Sequence, residues 1–599
     1  MSPGFQRSRV TRHRVVVLFA ALAWVVTSVH GQAAPAREDA AARKLDAHLR
    51  HAIDRDGDEI AQRVIVRVDP SAAAAVAAVL TQRGDTLLRY HAGISAFTVR
   101  SKRLVALAKH PGIASISVDA PVAALQTLAA PAAPLPNDEV VRDTVSVRGS
   151  YTGAGVGVAL IDSGLEASDD FSGRISAFYD FTRGGVAATP YDDYGHGTHV
   201  AGLIGSSGAL SKGAYAGLAP GVKFVVLKAL DSNGGGLTSD VISAIDFVTA
   251  NRAALGVDII NLSLGHAPYE SATTDPLVQA VEAAVRAGIV VVASAGNYGR
   301  NATTGVIGYA GIASPGNAPS ALTVGSFMTQ DTVRRSDDRM NGFSSRGPTY
   351  FDGAAKPDIV APGYRLIANA AKQGSLFAKY PTLRVAGSLT EDYITLSGTS
   401  MAAAVASGVV AQLMEANRST NLTGRLTPNA IKAILQHTAI RMHDDVGAEY
   451  DALTQGAGAL NGAGAIGFAR GVLNNTAVGA AWLDLALSPD SGSTLIGGET
   501  VVWGNTVVWG NTVVWGDTIN VNQPAWANTV VWGNTVVWGN TVVWGNNLVA
   551  DQTVVWGNTV VWGNAVLQGN TVVWGNNDLT AVSNGNATLN GNTLVGGDR

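Results

Sequence analysis

Four polar residues in this chain stand where small or apolar runs meet turns, and together they make a hydrolytic set. Ser400 lies in Leu396-Ser397-Gly398-Thr399-Ser400-Met401-Ala402-Ala403-Ala404, a glycine turn feeding a helix that stays apolar through Val410, Leu413 and Met414. Such a helix belongs in a core. Its N-terminus offers unpaired N–H groups and a dipole that favours negative charge. A serine oxygen there can attack and leave an oxyanion; capping of the helix by Ser397 or Thr399 is the competing use of the same stretch. Asp162 follows the apolar run 155–161. His196 opens a small-residue helix in Gly195-His196-Gly197-Thr198-His199-Val200-Ala201-Gly202, and Asn297 closes Ala293-Ser294-Ala295-Gly296-Asn297. A serine hydroxyl is a weak nucleophile and needs an adjacent base, and imidazole titrates near neutrality. A buried carboxylate fixes the imidazole tautomer and stabilises the imidazolium. The Asn297 amide, with the Ser400 N–H, can hold the developing oxyanion, one such donor contributing about 3–4 kcal/mol. His199 reads as a packing residue.

These four residues need a scaffold that brings them to one edge. Between about 146 and 470, near-continuously apolar strands at 155–161, 223–227, 258–262 and 289–293 alternate with helical stretches such as 199–204, 239–250 and 276–286. That pattern predicts a parallel sheet covered on both faces, with its ligand crevice beyond the carboxyl ends of the strands. All four residues map to that rim. Upstream, 61–120 reads strand-helix-strand-strand-helix-strand, the ferredoxin-like split unit. Residues 34–60 read as a loose helix or linker, and Ala/Pro-rich 120–136 as an exposed, cleavable one.

Asp162-Ser163-Gly164, His196-Gly197-Thr198-His199-Val200-Ala201-Gly202 and Gly398-Thr399-Ser400-Met401-Ala402-Ala403 resemble the three signatures of the subtilisin-like serine peptidases, the subtilases. The resemblance covers 146–470. It implies Asp162, His196 and Ser400 as catalytic residues and Asn297 in the oxyanion hole. It also implies Ser263, Leu264 and Gly265 as one substrate-pairing edge, and Gly234, Gly235 and Gly236 as the other. Phe343-Ser344-Ser345-Arg346-Gly347-Pro348 and residues 356–363 are similar to structural stretches of the family. The 61–120 unit resembles the family's inhibitory propeptide. Two departures stand out. The chain has Ala404 where the family usually has proline, and the loop 205–217, where many members build a calcium site, has no carboxylate and one lysine, Lys212. The resemblance therefore implies no cofactor for catalysis, and structural calcium is left without a clear site. Asp169 and Asp170 are the remaining acids for a cation, or a solvated loop.

The N-terminus argues for export, with an uncleaved anchor as the alternative reading of its apolar run. Arg7, Arg9, Arg12 and Arg14 precede an apolar run at 15–26, with small residues around Gly31-Gln32-Ala33, a secretory signal pattern. There is no cysteine, so disulfides and thiolate metal sites are excluded. A net charge of −4 offers no basic footprint for nucleic acid. The expected division is signal 1–33, linker 34–60, propeptide 61–120, cleavable linker 121–145, catalytic domain 146–470, linker 471–499 and repeat 500–599.

From Thr500 the hexapeptide Thr-Val-Val-Trp-Gly-Asn recurs, and ten of the chain's 12 tryptophans lie in this region, so it is one organised unit. Thr, Val and Trp favour strands and Gly-Asn a turn. A β-solenoid with corners at Gly-Asn is preferred to a meander of short strands. Its tryptophans form the core of the repeat or contact glycans or a cell surface. The expected fold is thus α/β with a doubly wound, mostly parallel subtilisin-like sheet, a small α+β unit before it and an all-β repeat after it. The expected function is a secreted or surface-located serine endopeptidase made as a zymogen, with protein or peptide substrates and its own propeptide as inhibitor. A surface adhesin with a vestigial peptidase domain and an exopeptidase of the same fold are the alternatives.

Overall fold

The computed structural model describes residues 41–127 and 138–504, apart from 146, 148, 150, 302, 386–391, 422–423, 475–482, 485 and 488–491, and beyond 504 only the backbone of short strands. The expected signal segment lies outside the described residues. Among the described residues, no helix is long and apolar enough to cross a membrane.

The N-terminal unit begins earlier than its alternation suggests. Helix α1 (Ala47–Asp56) is no loose linker: Leu49 is fully buried, and Asp46 caps the helix by accepting from Leu49 N–H. It joins strands β1 (Gln62–Val68), β2 (Thr86–His91), β3 (Ala96–Ser101) and β4 (Ile113–Val118) with helices α2 (Ala73–Gln82) and α3 (Leu104–Ala108). The sheet order β2-β3-β1-β4 is antiparallel throughout. Val64, Val66, Val76, Leu80, Val99 and Ile116 close its core.

The stretch 121–127 departs from the exposed linker expected of it. Strand β5 (Pro121–Ala124) is paired on both sides, and Val122 and Leu125 are buried. A short helix α4 (Asp138–Thr144) precedes the main domain.

That domain is a sheet whose central strand β6 (Gly157–Asp162) lies between β9 (Lys223–Lys228) and β11 (Ile259–Leu262), parallel to both. Outward on one side is β7 (Ile175–Asp180), edged by the two-residue β8 (Val186–Ala187). On the other side lie β13 (Val290–Ser294) and β14 (Leu322–Met328), also parallel; β14 carries the antiparallel β15 (Arg339–Met340) and the parallel β16 (Ile359–Pro362). Two faces explain the unbroken apolar strands: Val158 and Leu160 pack with helices α5 (His196–Gly205) and α9 (Thr399–Thr420), whereas Ala159 and Ile161 pack with α6 (Thr238–Leu255) and α7 (Pro276–Arg286). Helix α9 is buried almost end to end, as its all-round apolarity requires.

The repeat does not start where the peptidase stops. Strands Ser493–Ile496 and Glu499–Val502 form an antiparallel hairpin, and the next residue, Trp503, is buried against Phe468 and His437 with its Nε1–H donating to Thr494 Oγ1 at 2.8 Å. The tail of the expected 471–499 linker and the first hexapeptide are therefore part of the main domain's fold. Further on, strands pair in parallel, Thr535 with Thr553, Thr541 with Thr559 and Asn547 with Ala565, an offset of three hexapeptides. The offset widens where Val566 meets Thr588 and Val572 meets Leu594, and Val507 pairs antiparallel with Trp515. The tryptophan side chains of these later copies lie outside the described residues.

Replacing Trp503 with alanine removes a buried ring and its hydrogen bond. The expected cost is about 3 kcal/mol or more, read as a lower denaturant midpoint for the peptidase domain; an unchanged midpoint would place the first hexapeptide outside that folding unit.

Candidate active site

Asp162, His196, Asn297 and Ser400 converge at the carboxyl edge of the sheet, each delivered by a different element. Asp162 is the last residue of β6, His196 the first of α5, Asn297 follows β13, and Ser400 opens α9. Asp162, His196 and Ser400 are fully buried. Asp162 Oδ1 accepts from His196 Nδ1–H at 2.7 Å and from the Ser163 N–H at 2.7 Å. His196 Nε2 is buried and has no hydrogen-bond partner. The close approach of the two elements requires glycine at 197, where a Cβ would sit 2.2 Å from the Gly164 carbonyl oxygen.

The α9 turn is not used for capping. The N-cap residue is Gly398, and neither Ser397 nor Thr399 caps the helix with its side chain. Ser397 Oγ instead accepts from the Arg365 N–H, and Thr399 Oγ1 donates to Asn297 Oδ1 at 3.0 Å. The Thr399 N–H also donates to Asn297 Oδ1, at 3.1 Å. Both bonds hold the Asn297 amide by its oxygen. Its Nδ2 is left buried and unpartnered.

The chain's own residues 121–127 fill the groove beside these groups. Strand β5 runs antiparallel between β10 (Gly235–Leu237) and β12 (Leu264–Gly265), so that Ala123 faces both Gly235 and Gly265. Ala124 pairs with Leu264, Val122 with Gly236, and the Ala124 N–H donates to the Gly234 carbonyl at 3.0 Å. The Leu125 N–H donates to the Ser263 carbonyl at 3.3 Å, and beyond it the Thr127 N–H donates to the Ser397 carbonyl at 2.6 Å. Leu125 thus presents its carbonyl oxygen 2.8 Å from Ser400 Oγ. The same oxygen and Asn297 Nδ2 flank one point beside Gly398, lying 2.5 and 3.3 Å from where a Cβ there would stand. Ser400 Oγ also lies 2.8 Å from the Ser263 carbonyl, so its hydroxyl is held by carbonyls and not by His196. All six substrate-pairing positions expected from the sequence therefore line this one inserted segment.

A family model, the Subtilase family, matches residues 153–465. The chain belongs to the subtilase family. Serine protease AprX of Bacillus subtilis is 37% identical over 328 residues, 54% of this chain and 68% of that protein. The extracellular serine proteinase of a Thermus species is 32% identical over 350 residues, 56% of this chain and 72% of that protein. In fold, the chain is similar to the crystal structure of fervidolysin from Fervidobacterium pennivorans, with a TM-score of 0.52 and 20% identity over 69% of this chain and 62% of that one. As a subtilase, the protein is a serine-type endopeptidase whose chemistry needs no cofactor.

Several residues that shape the site carry no signal in the sequence. Asp192 accepts from Ser163 Oγ, from the Gly195 and Thr198 N–H groups and from Thr198 Oγ1, tying the turn after Asp162 to the start of α5. Lys228, fully buried, donates to the Ser163 and Leu230 carbonyls and to Asp193. Asp170, considered above for a cation, is instead satisfied by neutral donors: the Leu210 N–H, Asn369 Nδ2 and Tyr393 Oη. With those contacts made, its carboxylate does not fit a calcium ion. Among the described residues, no group of three or more His, Asp or Glu side chains is arranged to hold a metal.

His199 lies one turn along α5, its Nε2 3.0 Å from the Leu366 carbonyl oxygen, and burial lowers its pKa to about 3. Burial likewise lowers that of His437, beside Trp503, to about 4. Both are neutral when folded and take up a proton below about pH 6.5 when unfolded. Their contribution to stability is therefore complete above pH 6.5 and is lost as pH falls toward 4, by about 1.4 kcal/mol per pH unit for each histidine. Denaturant unfolding between pH 4 and 7 should show this slope, and His437→Gln should flatten it.

Proposed function

We propose that this chain is the zymogen of a secreted endopeptidase, and that its first target is its own bond between Leu125 and Gln126. The observation that carries this is the placement of the Leu125 carbonyl against Ser400 Oγ while the backbone on either side is paired as a strand. In this reading residues up to Leu125 are the pro-segment, and the 121–145 boundary shifts: 121–125 belongs to the inhibitor and 126 onward to the mature chain. Ser400 Oγ swings from the carbonyls toward His196 Nε2, gives it the proton, and attacks the Leu125 carbonyl carbon. Asp162, already bonded to Nδ1, stabilises the imidazolium. The oxyanion is held by Asn297 Nδ2, which is buried without a partner, and by the Ser400 N–H. The tetrahedral adduct collapses as His196 returns the proton to the Gln126 nitrogen, and water then releases Leu125 from the serine ester.

Three features support an inhibitor that folds onto its enzyme. Asp119 accepts from the Ser239 N–H and Oγ–H, supplying a carboxylate to the N-terminus of α6. Arg63 braces that carboxylate at 2.6 Å. Arg89 Nη1 donates to Ser243 Oγ further along the same helix. Backbone pairing continues on both sides of the Leu125 carbonyl, through Ala124 before it and Thr127 after it, which favours an endopeptidase over the exopeptidase alternative. The name of the Thermus relative supports export. The parallel offset of three hexapeptides supports a three-sided β-solenoid over a meander for the repeat. Contact with glycans or a cell surface remains the proposed use of that unit, and an adhesin with a vestigial site has no observation in its favour.

Purified wild-type protein and Ser400→Ala, compared by intact mass and N-terminal sequencing, test the reading. The wild type is expected to begin at Gln126, and the variant to keep the pro-segment. A variant cut at the same bond, or a wild type that stays uncut, would sink it.

A further inference from the structure

Beside the scissile position lies a contact that backbone pairing does not explain. Gln126, on the leaving side of the bond, hydrogen-bonds through its side-chain Nε2 to the Tyr194 hydroxyl. Tyr194 sits two residues before His196, so it is carried by the turn that carries the base. Contacts other than Gln126 also hold Tyr194. The Tyr194 N–H donates to Asp192 Oδ1, its carbonyl accepts from the Leu376 N–H, and the ring packs so tightly on Gly234 that a Cβ there would lie 2.4 Å from it. Burial raises the hydroxyl's pKa, so it stays protonated and can both donate and accept. Asp162 and Asp192 lie close enough to act on it electrostatically.

We infer that Tyr194 is a specificity-determining residue that reads the side chain just after the cut and favours a primary amide there. This rests on the proposed endopeptidase reading. The Tyr194 hydroxyl takes the nitrogen end of the Gln126 amide, and the amide oxygen is buried without a partner. Glutamate has the same length, but the two nearby aspartates oppose its charge. An apolar residue leaves the hydroxyl of a part-buried tyrosine unpaired, and sites built to hydrogen-bond a group discriminate against ligands that lack it.

The test uses processed enzyme and blocked peptides Val-Ala-Ala-Leu-X-Thr, with X as Gln, Glu or Leu, reading kcat/KM. Wild type is expected to prefer Gln over Leu by about two- to tenfold, the range of one net hydrogen bond, and Gln over Glu. Tyr194→Phe keeps the ring and should bring the Gln-to-Leu ratio toward one, whatever its effect on the absolute rates. Separately, Gln126→Leu in the full chain should slow the loss of the pro-segment several-fold in a time course of intact mass. Equal rates for Gln and Leu in the wild type, or a ratio that survives in the Phe variant, overturn the inference while leaving the endopeptidase reading intact. A wild type that cuts none of the peptides overturns both.

Discussion

Two short edge strands with unsatisfied backbone set the terms for the rest of this molecule. Gly235–Leu237 and Leu264–Gly265 face each other across a gap one strand wide, and an exposed edge is a template for pairing. An extended segment running antiparallel to both satisfies them together. That constraint is set by backbone pairing and is indifferent to side chains. It also makes the groove a liability until something occupies it, and residues 121–127 of the same chain are that occupant. Placement of the Leu125 carbonyl then follows from strand register: with Ala123 set opposite Gly235 and Gly265, the carbonyl two residues later reaches Ser400.

The chemistry at the end of that groove depends on burying charge-bearing groups without leaving them loose. Asp162 is fully buried, and its Oδ1 receives both His196 and the Ser163 N–H, while Oδ2 is buried without a partner. An unpaired buried carboxylate would be costly. The pair is assembled by backbone approach, hence the glycine at 197, and then locked by Asp192 and Lys228, which grip the same turn from two sides. These contacts hold the imidazole in place while the hydroxyl of Ser400 rests on the Leu125 and Ser263 carbonyls.

How much of this was legible in the sequence follows from how local each signal is. Asp162, His196, Asn297 and Ser400 could be read because each sits in a short motif at the junction of a periodic element and a turn, and parallel sheets gather such junctions at one rim. The buried strands of the main sheet were equally plain, since burial on both faces writes an unbroken apolar run. Strand β5 was not. Pro121-Val122-Ala123-Ala124 has the composition of a linker, and its strand character comes wholly from partners more than 100 residues away. Helix α1 misled for a related reason: its few apolar positions bury against one face of the small sheet, while the rest is charged and reads as linker. Trp503 looked like the first of many equivalent copies because sequence identity hides context; the hexapeptide that packs on Phe468 and His437 does a different job from its successors. Tyr194 and Lys228 escaped because nothing about a lone tyrosine or lysine announces which turn it will brace.

The cut itself changes the energetics of inhibition on this reading. Before it, the strand and the docked sheet are tethered, so the groove is refilled intramolecularly at a high effective concentration. Afterward, strand β5 is still paired on both sides, and Asp119 still caps α6, but the segment after Leu125 is free to leave. What had been a conformational equilibrium becomes a bimolecular one, set by the interface between the small sheet and helix α6. The contacts that matter for release therefore lie far from Ser400, at Arg63, Asp119 and Arg89, and weakening them would free the enzyme without touching its catalytic groups.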